Sequence, residues 1–322
     1  MRKPGTRKKA LVCGATGFIG RNVAEALAGS GEYEVYGTFR ASPPLSHPGI
    51  RMVRADLRQP EEVERVMAGM DIVVQAAATT SGARDILARP YIHVTDNAVM
   101  NSLLLRSAFE HQVSGFLFFS CAIMYPSSDK PLGEKDFDAN AGMYGPYFGA
   151  GWTKIYVEKM CEFYSRIGRT KFTVVRHSNI YGPHDKFDLD RSHVFGATVT
   201  KVMRARDGDA LTVWGAGEEE RDLLYVSDLV EFIRLALENQ ESQFELYTVG
   251  SGRSIPVKTL VRRIIESSGK RIVVEHDLSR PSLRTKVSLD STKARERLGW
   301  VPKVSLEEGI RKTLEWHREN IR

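Results

Sequence analysis

The chain has 322 residues, 42% hydrophobic and 27% charged, which is the composition of an ordinary soluble globular protein and long enough for two lobes around a sizeable core. No apolar run reaches the ~18–20 residues that span a bilayer, and the opening Met1-Arg2-Lys3-Pro4-Gly5-Thr6-Arg7-Lys8-Lys9 lacks a signal-peptide apolar core, so a membrane protein or a secreted one is not expected and a cytoplasmic one is. The net charge of +6 owes much to that basic start, read as a solvated tail and not as a nucleic-acid arm, and the three cysteines, Cys13, Cys121 and Cys161, form no CxxC, which argues against a disulfide scaffold or a metal site.

In chain order, Lys9–Cys13 is a short apolar run that stops at a glycine turn, as a buried parallel strand does. Phe18–Gly29 places Ile19, Val23, Ala24 and Leu27 on one helical face. Strand-like runs follow at Glu34–Phe39 and Ile50–Leu57, and Pro60 opens a helix that is acidic early and closes at Gly69. Asp71–Ala78 and Gly115–Cys121 read as buried strands flanking a helix over Asn97–Phe109. Strands separated by helices imply right-handed crossovers and a doubly wound, parallel Rossmann sheet. Further on, Trp152–Ile167 reads as a helix, Phe172–Tyr181 as one strand, and Gly182-Pro183-His184-Asp185 as a loop. A helix near His193, a strand Leu211–Trp214, a helix Ser227–Asn239, a helix Val257–Ser268, a strand Arg271–Glu275 and helices at Ser291–Leu298 and Leu306–Asn320 complete the α/β chain. With no linker visible, the lobes are expected to interleave: 8–182 with about 223–245 as the larger, sheet-bearing domain, 183–222 with 246–320 as a smaller lobe.

The glycines of Gly14-Ala15-Thr16-Gly17-Phe18-Ile19-Gly20 stand between a predicted strand and a predicted helix. There they permit a tight turn and close approach to a pyrophosphate, which the helix amides then cradle. An acid at the end of the second strand would bind an adenosine 2′-hydroxyl; Thr38-Phe39-Arg40 stands there, and Arg40, with help from Arg21, suits a 2′-phosphate. NADP (NADPH) is therefore favoured over NAD. Asp56-Leu57 suits the adenine edge, and Ala76-Ala77-Ala78 lets the backbone pass close to the cofactor.

Together these segments resemble the extended short-chain dehydrogenase/reductase superfamily. Asn179–Phe187, Ser192-His193-Val194, Val213–Gly217 and Arg221–Asp228 narrow the resemblance to its nucleotide-sugar branch, in particular the GDP-L-fucose synthases. In that superfamily a Tyr-x-x-x-Lys pair does the chemistry, the lysine holding the nicotinamide ribose and lowering the tyrosine pKa. Lys154 matches the lysine, but Ala150 stands where the tyrosine should. Tyr144 and Tyr147 lie upstream, yet the spacing from Lys154 to His193 and from Tyr125 to position 150 matches the family, so the general acid is expected to be missing, not displaced. It was either replaced to disable turnover, the preferred account, or is naturally absent.

The resemblance also implies a Ser or Thr at the end of the fifth strand. Cys121 takes that position, so either Ser120 substitutes or Ala122 marks a second lost hydroxyl. The family's epimerisation cysteine would fall at Ile123, leaving His193 alone of that acid/base pair, so a one-centre epimerase or a plain 4-keto reductase becomes the reading. Tyr125 and Val194 are expected to line the substrate, Asn179 to orient the nucleotide sugar or the nicotinamide, Arg221 and Lys201 to bind the diphosphate, with Arg284 or Lys286 as a later candidate, and Trp214 to stack on guanine. The bland alternatives are solvated cations and a core tryptophan. The activity implied is NADPH-dependent reduction or epimerisation/reduction of a GDP-4-keto-6-deoxy sugar by a homodimer pairing through the two long helices. The alternatives are an NAD-retaining 4-epimerase and a non-catalytic NADP sensor.

Overall fold

The computed structural model describes residues 7–80, 89–189, 192–280 and 285–321. Its largest unit is a parallel sheet of seven strands, β1 (Lys8–Cys13), β2 (Tyr33–Phe39), β3 (Ile50–Arg54), β4 (Ile72–Gln75), β5 (Gly115–Phe119), β6 (Lys171–His177) and β10 (Phe244–Val249), in the order β10-β6-β5-β4-β1-β2-β3. The order reverses between β1 and β4, and a crevice opens beyond the carboxyl ends of strands at such a point.

Alternate strand residues feed two separate cores. Ala10, Val12, Val74, Leu117 and Val175 meet helix α1 (Phe18–Ser30) through Val23, Ala24 and Leu27, and helix α6 (Val226–Asn239) through Leu229, Phe232 and Ile233. Leu11, Val73, Phe116, Phe118 and Val174 meet α2 (Pro60–Met67), α3 (Thr95–Glu110) and α4 (Phe148–Ile167) through Val63, Met67, Leu104, Leu105 and Val157. The sheet is therefore covered on both faces, the doubly wound α/β arrangement that the alternation of periods predicts. Each Leu or Phe buried there is worth about 1.5–3 kcal/mol relative to exposure.

A third core joins α5 (Val194–Arg204), α7 (Val257–Ser268) and α9 (Leu306–Asn320) beneath two small sheets. One is β11 (Ser254–Pro256), β9 (Glu220–Tyr225) and β7 (Asn179–Tyr181); the other pairs β12 (Val273–Asp277) with β8 (Ala210–Trp214). Helix α8 (Thr292–Leu298) packs back on the first core through Ala294.

Several boundaries differ from expectation for local reasons. The run Phe172–Tyr181 is two strands, because Ser178 still bonds to Val249 while Asn179 pairs with Leu223 in another sheet. Strand β4 stops at Gln75 because that side chain folds back onto the amide and carbonyl of Ala77, and β3 stops at Arg54, after which the Asp56 amide turns to Glu62. Helix α4 begins at Phe148, four residues before the expected Trp152. Strands β9, β10 and β11 were not expected, and β10 carries the main sheet to Val249, past the anticipated limit at 245.

Candidate active site

After Cys13 the chain turns through Gly14 at φ +73°, where a Cβ would stand 2.7 Å from the Cα of Ala77; at Gly20 it would stand 2.2 Å from the Gly14 oxygen. The Gly17 amide donates to that oxygen at 2.9 Å, and the Thr38 hydroxyl accepts from the Gly14 amide at 2.9 Å. Gly17 caps α1 with no side-chain hydrogen bond and no acid follows in the first turn, so Thr16, Phe18 and Ile19 surround a helix start suited to an anion. A backbone cradle that a Cβ would fill fits a dinucleotide pyrophosphate.

Around it, Arg40 is exposed at the end of β2, whereas Arg21 is paired with Glu25 at 2.8 Å. Asp56 is gripped by Arg58 through Nε at 2.9 Å and Nη2 at 2.6 Å, and these bonds hold its carboxyl down at about 2. Its carboxylate is thus already engaged, and Leu57 beside it is buried. The Ala76 amide donates to Cys13, Ala77 abuts Gly14, and Ala78 is exposed.

A second group gathers at the ends of β5 and β6. Helix α4 delivers Lys154, whose Nζ donates to the Phe119 carbonyl at 2.7 Å and lies 4.8 Å from the Phe118 ring. Burial lowers the Lys154 pKa, and the neighbouring Cys121 and Glu158 oppose that shift. Burial raises the Cys121 thiol, with Lys154 pulling the other way. His177, at the end of β6, is pushed down to about 4 by burial, with Lys154 and His193 adding to the fall, although its Nδ1 contacts the Ser178 carbonyl at 2.7 Å. His193, N-cap residue of α5, is lowered by burial and by Lys186 and Arg221. His193 is exposed and Cys121, Lys154, His177 and Tyr147 are partly so, yet the protein crowds each of them enough to shift its proton affinity. Groups open to solvent but surrounded by protein define a cleft.

Behind the cleft lies a buried network. Arg176 binds Glu158 at 2.6, 3.0 and 3.2 Å and donates to the Tyr125 hydroxyl at 2.8 Å. Ser120 donates to Glu158 at 2.5 Å, and Tyr125 donates to Gly133. The hydroxyls of Ser120 and Tyr125 therefore face this network, while Cys121 and Lys154, and His193 and Arg221, lie near enough to act on each other's charge. Ala150 sits partly exposed one turn before Lys154. Arg221 donates to the Glu220 carbonyl and to both oxygens of Thr285. The Asn179 side chain donates to the Asp222 carbonyl, and Val194 opens α5.

The more distant candidates have partners of their own. Lys201 donates to the Thr212 carbonyl, Lys286 pairs with Asp129 and Glu220, and Trp214 is 40% exposed under the Arg280 guanidinium. Arg284 lies outside the described residues. Sequence reasoning passed over His177, Glu158 and Arg176, although His177 ends a parallel strand and Glu158 follows Lys154 by four residues. It also passed over Asn22, which donates to Pro183 at 3.0 Å and ties the loop before His193 to α1.

A doubly wound parallel sheet with a glycine cradle at its switch point defines a dinucleotide-binding Rossmann protein. The chain belongs to the NAD dependent epimerase/dehydratase family, whose model matches residues 10–250. It is similar to the GDP-L-fucose synthase of Azorhizobium caulinodans, at 32% identity over 97% of both chains. A dTDP-glucose 4,6-dehydratase of Streptomyces niveus is 30% identical over 96% of this chain and 93% of its own. The solved UDP-glucose 4-epimerase of Thermotoga maritima, with UDP-glucose bound, matches at a TM-score of 0.84 and 28% identity, over 98% of this chain and all (100%) of that one. The family's enzymes work on nucleotide sugars with a nicotinamide cofactor. Among the described residues no helix is long and apolar enough to cross a membrane.

Proposed function

We propose that this chain is an NADPH-dependent reductase, or epimerase/reductase, of a GDP-4-keto-6-deoxy sugar. The observation that carries the reading is the convergence of Cys121, Lys154, His177, His193 and Arg221 on one cleft at the same sheet edge as the glycine cradle. In this reading the cradle takes the pyrophosphate and Lys154 the nicotinamide ribose. The bound cofactor supplies hydride. Arg40, an exposed cation where an acid would select NAD, supports NADPH, and the likeness to a GDP-L-fucose synthase supports the GDP sugar.

His193, kept neutral by its surroundings, is suited to take or return a proton at a carbon beside the keto group. Ile123 brings no second such group, which favours reduction or one-centre epimerisation. Arg221 and Lys201 are the cations for the diphosphate. Position 150 offers only a methyl group, so protonation of the sugar oxygen depends on a donor elsewhere. Val99 of α3 and Tyr156 and Phe163 of α4 are 41%, 49% and 54% exposed, an apolar face that supports a homodimer paired through these helices.

The test follows loss of reduced-nicotinamide absorbance with GDP-4-keto-6-deoxy-mannose, NADPH against NADH, for the native chain and for Ala150→Tyr, alongside calorimetric binding. NADPH oxidation coupled to the GDP sugar is the expected result. Turnover confined to UDP or dTDP sugars, or no binding of the GDP sugar by either protein, would overturn the reading.

A further inference from the structure

We propose that Tyr147 donates the proton that position 150 cannot. The inference rests on the reductase reading above. Tyr147 is the N-cap of α4, three residues before Ala150 and seven before Lys154. At about 100° per residue those positions share one stripe of the helix, which continues inward through Glu158 and Cys161. Moving a phenol from 150 to 147 thus shifts it about one turn toward the N-terminal end of α4 on an unchanged face.

The ring is held in place. The Tyr147 amide donates to the Tyr144 carbonyl at 2.8 Å, a short 3₁₀ turn over Gly145–Tyr147 sets the approach, and the Tyr144 ring packs edge-on at 5.6 Å. The phenol lies close enough to the Cys121 thiol and the Arg221 guanidinium for both to act on its acidity. Burial raises its pKa and Arg221 pulls it back. A phenol that stays protonated at neutral pH, with a guanidinium near to favour the phenolate, has the properties of a general acid.

The alternatives around the cleft are weaker. Ser120 is committed to Glu158 and Tyr125 to Gly133; Lys154 already donates to Phe119. His177 is neutral at physiological pH, and a thiol such as Cys121 is a poor donor.

In the step itself the Tyr147 O–H bond breaks and its proton passes to the keto oxygen. Bound NADPH would supply the hydride that the carbonyl carbon gains and would be left as NADP⁺. The product is a secondary alcohol, and the phenolate recovers a proton from solvent.

Tyr147→Phe is the test. NADPH oxidation should fall by about a hundredfold or more. NADPH binding, read by its fluorescence, should stay unchanged, which shows the fold intact. With NADP⁺ in place of NADPH, so that nothing turns over, calorimetry should show the GDP-4-keto sugar binding roughly threefold to tenfold more weakly, the loss of one hydrogen bond, and GDP binding as before. A Tyr147→Phe protein as fast as the native chain overturns the inference. So does a silent native chain whose Ala150→Tyr variant is active and unaffected by adding Tyr147→Phe; the reductase reading survives that result. If neither the native chain nor Ala150→Tyr binds the GDP sugar, the reductase reading fails and the role of Tyr147 with it.

Discussion

The Arg176–Glu158 pair behind the cleft sets up a demanding stability experiment. Both side chains are almost wholly buried, at 4% and 5% exposure; Ser120 donates to Glu158, and Arg176 also lies 5.0 Å from the Phe137 ring. Glu158→Leu leaves a guanidinium in the interior without its carboxylate, a change that costs about 3–5 kcal/mol in such sites. Unfolding entropy of roughly 2 cal/mol/K per residue gives about 0.7 kcal/mol/K for 322 residues. A loss of about 4 kcal/mol then lowers the thermal midpoint by about 6 °C. Arg176→Met should cost a similar amount. The double variant, with no charge left to desolvate, should recover most of the loss and fall within about 2 kcal/mol of the native chain, the remainder being the unpaired hydroxyl of Ser120 and the Arg176 bond lost from Tyr125, whose hydroxyl keeps Gly133. Scanning calorimetry of the four proteins at one pH completes the cycle. Two single losses that simply add in the double variant would refute the claim that the charges compensate each other.

Three further outcomes are expected. Gly20→Ala puts a methyl group 2.2 Å from the Gly14 oxygen and should weaken NADPH by more than about tenfold, with a fall in stability of about 1–3 kcal/mol; a fluorescence titration matching the native chain would refute the cradle. Arg40→Ala should cost NADPH about tenfold to a hundredfold through loss of a charge-assisted bond and leave NADH affinity in place, so equal losses for both cofactors would count against the phosphate contact. Asp185 has a buried oxygen with no hydrogen-bond partner among the described residues, and burial raises its pKa from 3.8 to about 7. The folded chain keeps a proton that the unfolded chain releases, so its contribution is fully present below about pH 4 and lost as pH rises to about 7. Asp185→Asn should flatten that slope and raise the midpoint at higher pH; superimposable melting profiles against pH would sink the assignment.

The main sheet was legible because its buried strands are short apolar runs ending in turn residues, and the glycine turn because backbone atoms at Gly14 and Gly20 leave no room for Cβ, which keeps glycine at those places in the sequence. Helix α4 was read late for an instructive reason. Gly149 and Gly151 look like helix breakers, but a Cβ at the first would meet Val94 and at the second Met143, so these glycines answer to packing, at Gly149 against a residue far away in sequence. The run through Ser178 looked continuous because apolar character cannot say which sheet a strand joins. In the site, Lys154 and His193 were visible by motif and spacing. The orientation of Ser120 was not, because it depends on Glu158 and Arg176, brought beside it only by the fold. Tyr147 was set aside on spacing alone, and its neighbours come from elsewhere in the chain, Cys121 from just after β5 and Arg221 from β9.

The main sheet receives its last strand late in synthesis. Strand β6 has β5 on one side, and its other edge waits for Phe244–Val249, which are made only after β7, α5, β8, β9 and α6 have been synthesised. Until then the nascent chain carries a bare edge, Lys171–His177, with Phe172, Val174 and Val175 on it, open to pairing with another chain. A protein cut after residue 182 would keep that edge for good. Expressed alone, such a fragment should aggregate, and attempts to dissect the cofactor half from the rest are better served by keeping residues 226–249 attached.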